Sequence, residues 1–133
     1  LDDGFILGAE KAAMLSPDHA CKAFSDHANG FVPGEAVAAI LLKPYQKAKA
    51  DGDRIYACIK TSAINQDGMS NGITAPNGEA QSQLLQAVYD KPQVDLEQLA
   101  VIEAHGTGTK LGDPIEVHAL QDAMKNSNLA EGE

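Results

Sequence analysis

Near the end of the chain, Glu103-Ala104-His105-Gly106-Thr107-Gly108-Thr109 runs directly into Lys110-Leu111-Gly112-Asp113-Pro114-Ile115-Glu116. An imidazole stands here on a turn whose neighbours are two glycines and two threonine hydroxyls. The glycines let another chain approach the backbone closely, and the hydroxyls can hydrogen-bond it. Two plainer readings compete with a reactive site. A histidine among glycines and threonines can be a surface turn residue, and a glycine-rich turn can hold phosphate. The second lacks the required spacing, since no Gly-x-x-x-x-Gly-Lys-Ser/Thr occurs here.

The elements around the turn bear on that choice. Ahead of it, the apolar run Leu99-Ala100-Val101-Ile102 reads as a buried strand that continues to Ala104. Behind it, Gly112-Asp113-Pro114 reads as a helix start, with Asp113 as N-cap and Pro114 at the first helical position. That helix is predicted from Pro114 to about Met124, burying Val117, Leu120 and Met124. A histidine at the carboxyl end of a strand, in a loop that opens into a helix, sits where α/β proteins place their chemistry.

Further upstream, residues 1–14 carry a weak helical pattern closed by Ser16-Pro17-Asp18, and residues 16–35 are loop-like. The continuous apolar run Ala36 to Leu42 reads as a strand covered on both faces, and a short buried helix has the same signature. Pro44 to Ala50 is predicted as a short helix closed by Asp51-Gly52-Asp53, and Ile55 to Ile64 as a second core strand. Residues 65–78 form a long Gly/Pro/Asn-rich loop, of a length that in compact domains is usually either functional or disordered. A helix follows from about Gly78 to Tyr89, with Asn77 near its cap and Ala80, Leu84, Ala87 and Val88 on one face. Asp95 to Gln98 reads as a brief helical turn, and beyond Lys125 the pattern breaks into a fraying tail. Strand and helix in alternation argue an α/β protein.

Composition narrows the function classes. The chain has 133 residues, 44% of them hydrophobic and 22% charged, the balance of one ordinary globular domain. A formal net charge of −9 excludes nucleic acid as an expected partner, because phosphate is met by clustered lysine and arginine. The longest apolar run is too short to cross a membrane and no signal peptide is evident, so the expected location is the cytoplasm. The Leu1-Asp2-Asp3 start, without methionine, is read as that of a piece cut from a longer chain. Two cysteines make neither a disulfide framework nor a zinc site, and Cys58, inside the second strand, is expected to be a buried small hydrophobe.

Several motifs in register carry a resemblance. His105-Gly-Thr-Gly-Thr-x-x-Gly-Asp-Pro-Ile-Glu116 resembles the first catalytic-histidine motif of β-ketoacyl synthases, in the form used by modular polyketide synthases. Ala63-Ile64-Asn65-Gln66-Asp67-Gly68, with Asn71 through Asn77, is similar to the same family's loop before that histidine. Cys21 to Asp26, Asn29 to Glu35 and Ala50 to Ile55 match in order and spacing, so the likeness covers roughly residues 15–122. Gly30-Phe31-Val32-Pro33-Gly34-Glu35, with Pro33 where many relatives carry arginine, resembles synthases served by a separate acyltransferase.

The resemblance implies a thiolase-like fold, a five-layer α/β/α/β/α arrangement of which only part is present. Residues 1–50 would end its N-terminal half and residues 51–133 would open its C-terminal half. Missing neighbours would leave apolar faces uncovered and the isolated piece at best marginally stable. The implied reaction is decarboxylative Claisen condensation of an acyl thioester with malonyl on an acyl carrier protein. His105 would donate a hydrogen bond to the malonyl thioester carbonyl, and Thr107 and Thr109 would hold the phosphopantetheine arm. Glu116 would be a supporting residue, paired in the family with a lysine further downstream; a purely structural carboxylate at a helix start is the alternative. Asn65, Asp67 and Thr74 would border the active-site entrance.

The family's cysteine nucleophile and second histidine have no counterpart in the chain, and Cys21 falls at a family position that carries no chemistry. Condensing activity is therefore expected of the parent protein and not of this piece alone. No intrinsically bound cofactor is expected beyond the carrier's phosphopantetheine. The expected partners are an acyl carrier protein and a second copy of the parent. Lys43, Lys47, Lys49 and Arg54 are the densest positive run that an acidic carrier could meet, or simply a solvated helix and turn. A non-condensing ketosynthase-like module that binds or gates carrier-borne chains is the alternative function.

Overall fold

The computed structural model describes residues 1–70, 72 and 74–127. The Asn71 and Ile73 positions of the loop motif, and the tail from Asn128 onward, lie outside them. Helix α1 spans Asp3–Lys11, capped by Asp2, whose carboxylate accepts from Phe5 N at 2.7 Å. Helix α2 spans Tyr45–Asp51 and ends on Gly52 in the left-handed region, the ordinary helix stop. Helix α3 spans Gly78–Tyr89, and its cap is the predicted one, with Asn77 Oδ1 accepting from Glu79 N and Ala80 N at 3.1 and 3.2 Å. A single 3-10 turn, Leu96–Gln98, follows under an Asp95 cap. Helix α4 spans Gly112–Asn126.

α3 and α4 pack against each other, and this seam holds much of the buried core. Its buried residues are small: Ala80 on α3, and Ala119 and Ala123 on α4. Alanines let two helix axes approach closely, and Gly78 sits where a Cβ would stand 3.2 Å from Ile115 Cγ2. The buried stripe of α4 is thus displaced from the one predicted. Val117, Leu120 and Met124 are only half-buried, and Ala87 of α3 is exposed.

The predicted strands are the main correction. Residues 36–42, 55–64 and 99–104 are neither helical nor paired in a ladder, and the one bridge among the described residues joins Leu15 to Phe31 in parallel. Their apolar side chains stand open, Leu41 and Ile64 each at 96% exposure and Val101 at 78%. Cys58, expected inside, is likewise exposed. An apolar run states that a segment needs covering, but a ladder also needs a neighbour presenting N–H and C=O groups in register. Uncovered apolar faces are what a partial fold was expected to show.

One tertiary junction positions the site. Ser16 N donates to Phe31 O and Phe31 N to Met14 O, while Gly30 N donates to Gly108 O at 3.0 Å. Gly30 has φ +144, and a Cβ there would lie 2.4 Å from the Leu15 carbonyl carbon. No side chain fits between those backbones, so glycine at this position is a packing requirement. Ser16, Asn29, Asp18 and Lys22 knit the same loop through side-chain hydrogen bonds and an ion pair.

Candidate active site

The turn carrying His105 is held by two carboxylates near the start of α4, Asp113 in its first turn and Glu116 just beyond it. Glu116 grips its start, one oxygen accepting from His105 N at 2.6 Å and the other from Gly106 N at 2.9 Å. Asp113 grips its end, Oδ1 accepting from Gly108 N at 3.0 Å. Residues three apart lie on one helix face, so Asp113 and Glu116 present their carboxylates together to three amides of the same loop, those of His105, Gly106 and Gly108. The helix N-terminus favours negative charge at Asp113 as well.

Asp113 is therefore not the N-cap that the sequence predicted. The helix begins at Gly112, Leu111 occupies the cap position and no side chain of that residue caps it. Thr109 takes over that task, its Oγ1 accepting from Gly112 N at 3.0 Å and its carbonyl from Asp113 N at 3.3 Å. The Asp113 side chain turns inward instead, to 4% exposure, where Phe24 N and Gly108 N are both available to it. Charge-assisted hydrogen bonds to two amides outweigh one cap bond.

With its backbone held in this way, the His105 residue is exposed and lines a cleft of about 1340 Å³. The same cleft is lined by Thr107, Thr109, Glu116, Asp67 and Thr74, so the structure brings these sequence-predicted residues to one place, with Cys21 beside them. The Thr107 and Thr109 hydroxyls are 3.0 Å apart and half-buried. Cys21 Sγ stands 3.6 Å from the carbonyls of Gly106 and Thr107, a weak contact in keeping with a thiol that packs on the turn.

Asn65 and Asp67 serve the loop's own structure. Asn65 Nδ2 donates to Ala80 O at 2.6 Å, while Asp67 accepts from Asn77 N at 3.2 Å and Asn77 Nδ2 donates to Asp67 O at 2.7 Å. Sequence reasoning missed Asp113 as a tie and Phe24 altogether. The three-residue spacing of Asp113 and Glu116 was a usable signal for the first; the second lies inside the matched segment Cys21 to Asp26, but nothing there pointed to a role for it.

Two cations of the positive run, Lys43 and Lys47, are already paired. Lys43 pairs with Asp51 at 2.6 Å and with Asp53, and Lys47 pairs with Asp51 at 3.2 Å. Hydrogen bonds that Lys43 donates to Asp51, then to Asp53, raise its pKa above the ordinary value, and those that Asp51 accepts from Lys43, then Lys47, lower its own. Arg54 lies over the Tyr56 ring, 4.9 Å from its centroid. The solvated helix and turn is the reading this geometry fits. Among the described residues no group of side chains could hold a metal ion, and no helix is long and apolar enough to cross a membrane.

Comparison with known proteins decides the family. Residues 2–48 match the β-ketoacyl synthase N-terminal domain, and residues 56–131 match the β-ketoacyl synthase C-terminal domain. The chain belongs to the β-ketoacyl synthase family. It is 54% identical over 110 residues to polyketide synthase PksM of Bacillus subtilis, covering 83% of this chain and 3% of that protein. It is 48% identical over 120 residues to the highly reducing polyketide synthase alnA of Emericella nidulans, covering 90% of this chain and 5% of that protein.

Solved ketosynthases superpose closely. That from module 6 of the bacillaene synthase of Bacillus subtilis 168 gives a TM-score of 0.91 at 46% identity, over 96% of this chain and 23% of that one. The oxazolomycin ketosynthase domain OzmH KS7 of Streptomyces albus gives 0.91 at 36% identity, over 98% and 22%. The β-ketoacyl synthase chain thus follows the backbone path of a thiolase-like ketosynthase over less than a quarter of that domain, and the expected fold holds for the part it covers.

Proposed function

We propose that this chain is the part of a polyketide-synthase ketosynthase that supplies one catalytic imidazole, His105, and the hydroxyls that hold the carrier's arm. The parent reaction is decarboxylative Claisen condensation. Malonyl on an acyl carrier protein loses carbon dioxide, and the electron pair left on its α-carbon attacks an acyl thioester on a cysteine. A carbon–carbon bond forms and the cysteine thiolate leaves. Charge develops on the malonyl thioester oxygen when carbon dioxide departs. A fixed N–H donor at that oxygen lowers the barrier because it is oriented before the reaction starts. A neutral imidazole has one such N–H, so its ring must be aimed.

The single observation that carries this reading is that Glu116 fixes the backbone on both sides of the His105 carbonyl while the residue stays exposed to the cleft. Thr107 and Thr109 line the same cleft, which supports their hydroxyls as the groups that hydrogen-bond the amides of a phosphopantetheine arm. Glu116 acts through His105 as a supporting residue. The boundary between the two halves falls near residue 50. The acyl carrier protein is the partner, the parent works as a dimer in the cytoplasm, and no intrinsically bound cofactor is needed. No observation favours the non-condensing alternative.

The test is His105→Ala in the full-length protein, with acylation of the nucleophilic cysteine and condensation measured separately. Removing one oxyanion donor lowers condensation by about 10²–10³-fold, and acylation persists. Condensation within about tenfold of wild type would overturn the reading. The 133-residue chain alone, which holds neither the elbow cysteine nor the second histidine, does not form an acyl-enzyme. Stoichiometric labelling of it in an acyl-loading assay would contradict this.

A further inference from the structure

Asp113 is buried to 4% exposure, yet the condensation chemistry makes no use of its carboxylate. Its two oxygens divide between two segments far apart in sequence. Oδ1 accepts from Gly108 N at 3.0 Å on the histidine turn, and Oδ2 accepts from Phe24 N at 2.7 Å. The Thr107 hydroxyl lies 3.5 Å from Oδ1. Phe24 has φ +58, a left-handed conformation that a bulky residue keeps only when its surroundings impose it. The imposed conformation has a use. It presses segment 21–24 onto the turn, so that a Cβ on Gly106 (itself at φ +53) would stand 3.0 Å from the Phe24 ring and 3.3 Å from Ala23 Cβ.

We propose that Asp113 is a positioning residue for the pantetheine-holding end of the turn, tying Gly108 and Thr107 to a strained Phe24 segment that backs them. This rests on the condensation reading above. The division of labour with Glu116 follows from which amides each carboxylate holds. Glu116 holds His105 and Gly106, next to the reacting carbonyl, and its loss acts on turnover. Asp113 holds Gly108 and the Thr107 end, next to the carrier's arm, and its loss acts on substrate capture.

Asp113→Asn in the full-length protein separates the two. An asparagine of the same size keeps one acceptor oxygen and turns an NH₂ group toward the other N–H donor, so one tie is lost. The expected result is a rise of about tenfold in KM for the malonyl-carrier substrate, with a smaller change in kcat. No change in either constant, or a fall in kcat that equals or exceeds the rise in KM, overturns the proposal. If the variant does not fold, amide hydrogen exchange on the wild-type protein decides. Phe24 and Gly108 are expected to be protected together, and free exchange at either overturns the tie. Exchange needs no turnover, so a wild-type protein that forms no carbon–carbon bond would count against the condensation reading alone.

Discussion

Replacing Glu116 is the sharpest probe of how the turn works. Each Glu116 oxygen accepts one amide, from His105 at 2.6 Å and Gly106 at 2.9 Å. A hydrogen bond from a backbone amide to a charged acceptor contributes about 1.5–3 kcal/mol. The site is half-buried, so water replaces part of what is lost and the lower end applies. Glu116→Gln keeps one acceptor and sets an NH₂ group against the second amide, costing about 1.5 kcal/mol. Glu116→Ala removes both acceptors and costs about 3 kcal/mol. If the imidazole is aimed through those two amides, the costs appear in the barrier at about 1.4 kcal/mol per tenfold. Single-turnover condensation with a preloaded cysteine should then fall about tenfold for Gln and about a hundredfold for Ala, with KM little changed. Two variants equal to each other and within about two-fold of wild type would refute the reasoning. So would a loss expressed wholly in KM.

Two further outcomes follow. Gly30→Ala should abolish the folded protein, because its Cβ would stand 2.4 and 2.5 Å from backbone atoms of Leu15 and Ser16 at φ +144; recovery of soluble protein with wild-type thermal stability would contradict the packing. The Lys43 cluster should stabilise α2 only within a pH window. Lys43 is raised above 10.5, so its contribution is full below that value and lost as pH rises through the raised one; Asp51 is lowered below 3.8, so its contribution is present above that value and lost as pH falls through the lowered one. The melting-temperature difference between wild type and Lys43→Gln should be constant between those limits and shrink outside them, and a difference that persists at both extremes would contradict the assignment.

The sequence carried the helices well where their signals are local. Asn77 before Gly78, and Asp95 before Leu96, are side chains that satisfy amides two or three residues away, so their meaning does not depend on the rest of the fold. The strands were not legible in the same way. Ile55 to Ile64 announces an apolar segment, yet whether it pairs or buries Cys58 depends on what lies beside it. Asp113 shows the limit most clearly. As the residue before a proline at a helix start it reads as a cap, and within its own segment nothing contradicts that. Only the arrival of Phe24, eighty-nine positions earlier, offers the carboxylate a second amide.

By itself the sequence determined the family, the histidine turn and the helix that follows it, because motifs at fixed spacing and local capping rules are properties of the order of residues. The tertiary structure alone decided how the turn is held. Glu116 and Asp113 take its amides from one helical turn, Gly30 closes against Leu15, and a strained Phe24 backs Gly106. Those contacts join segments distant in sequence, and a hydrogen-bond acceptor commits to the donor that folding brings nearest.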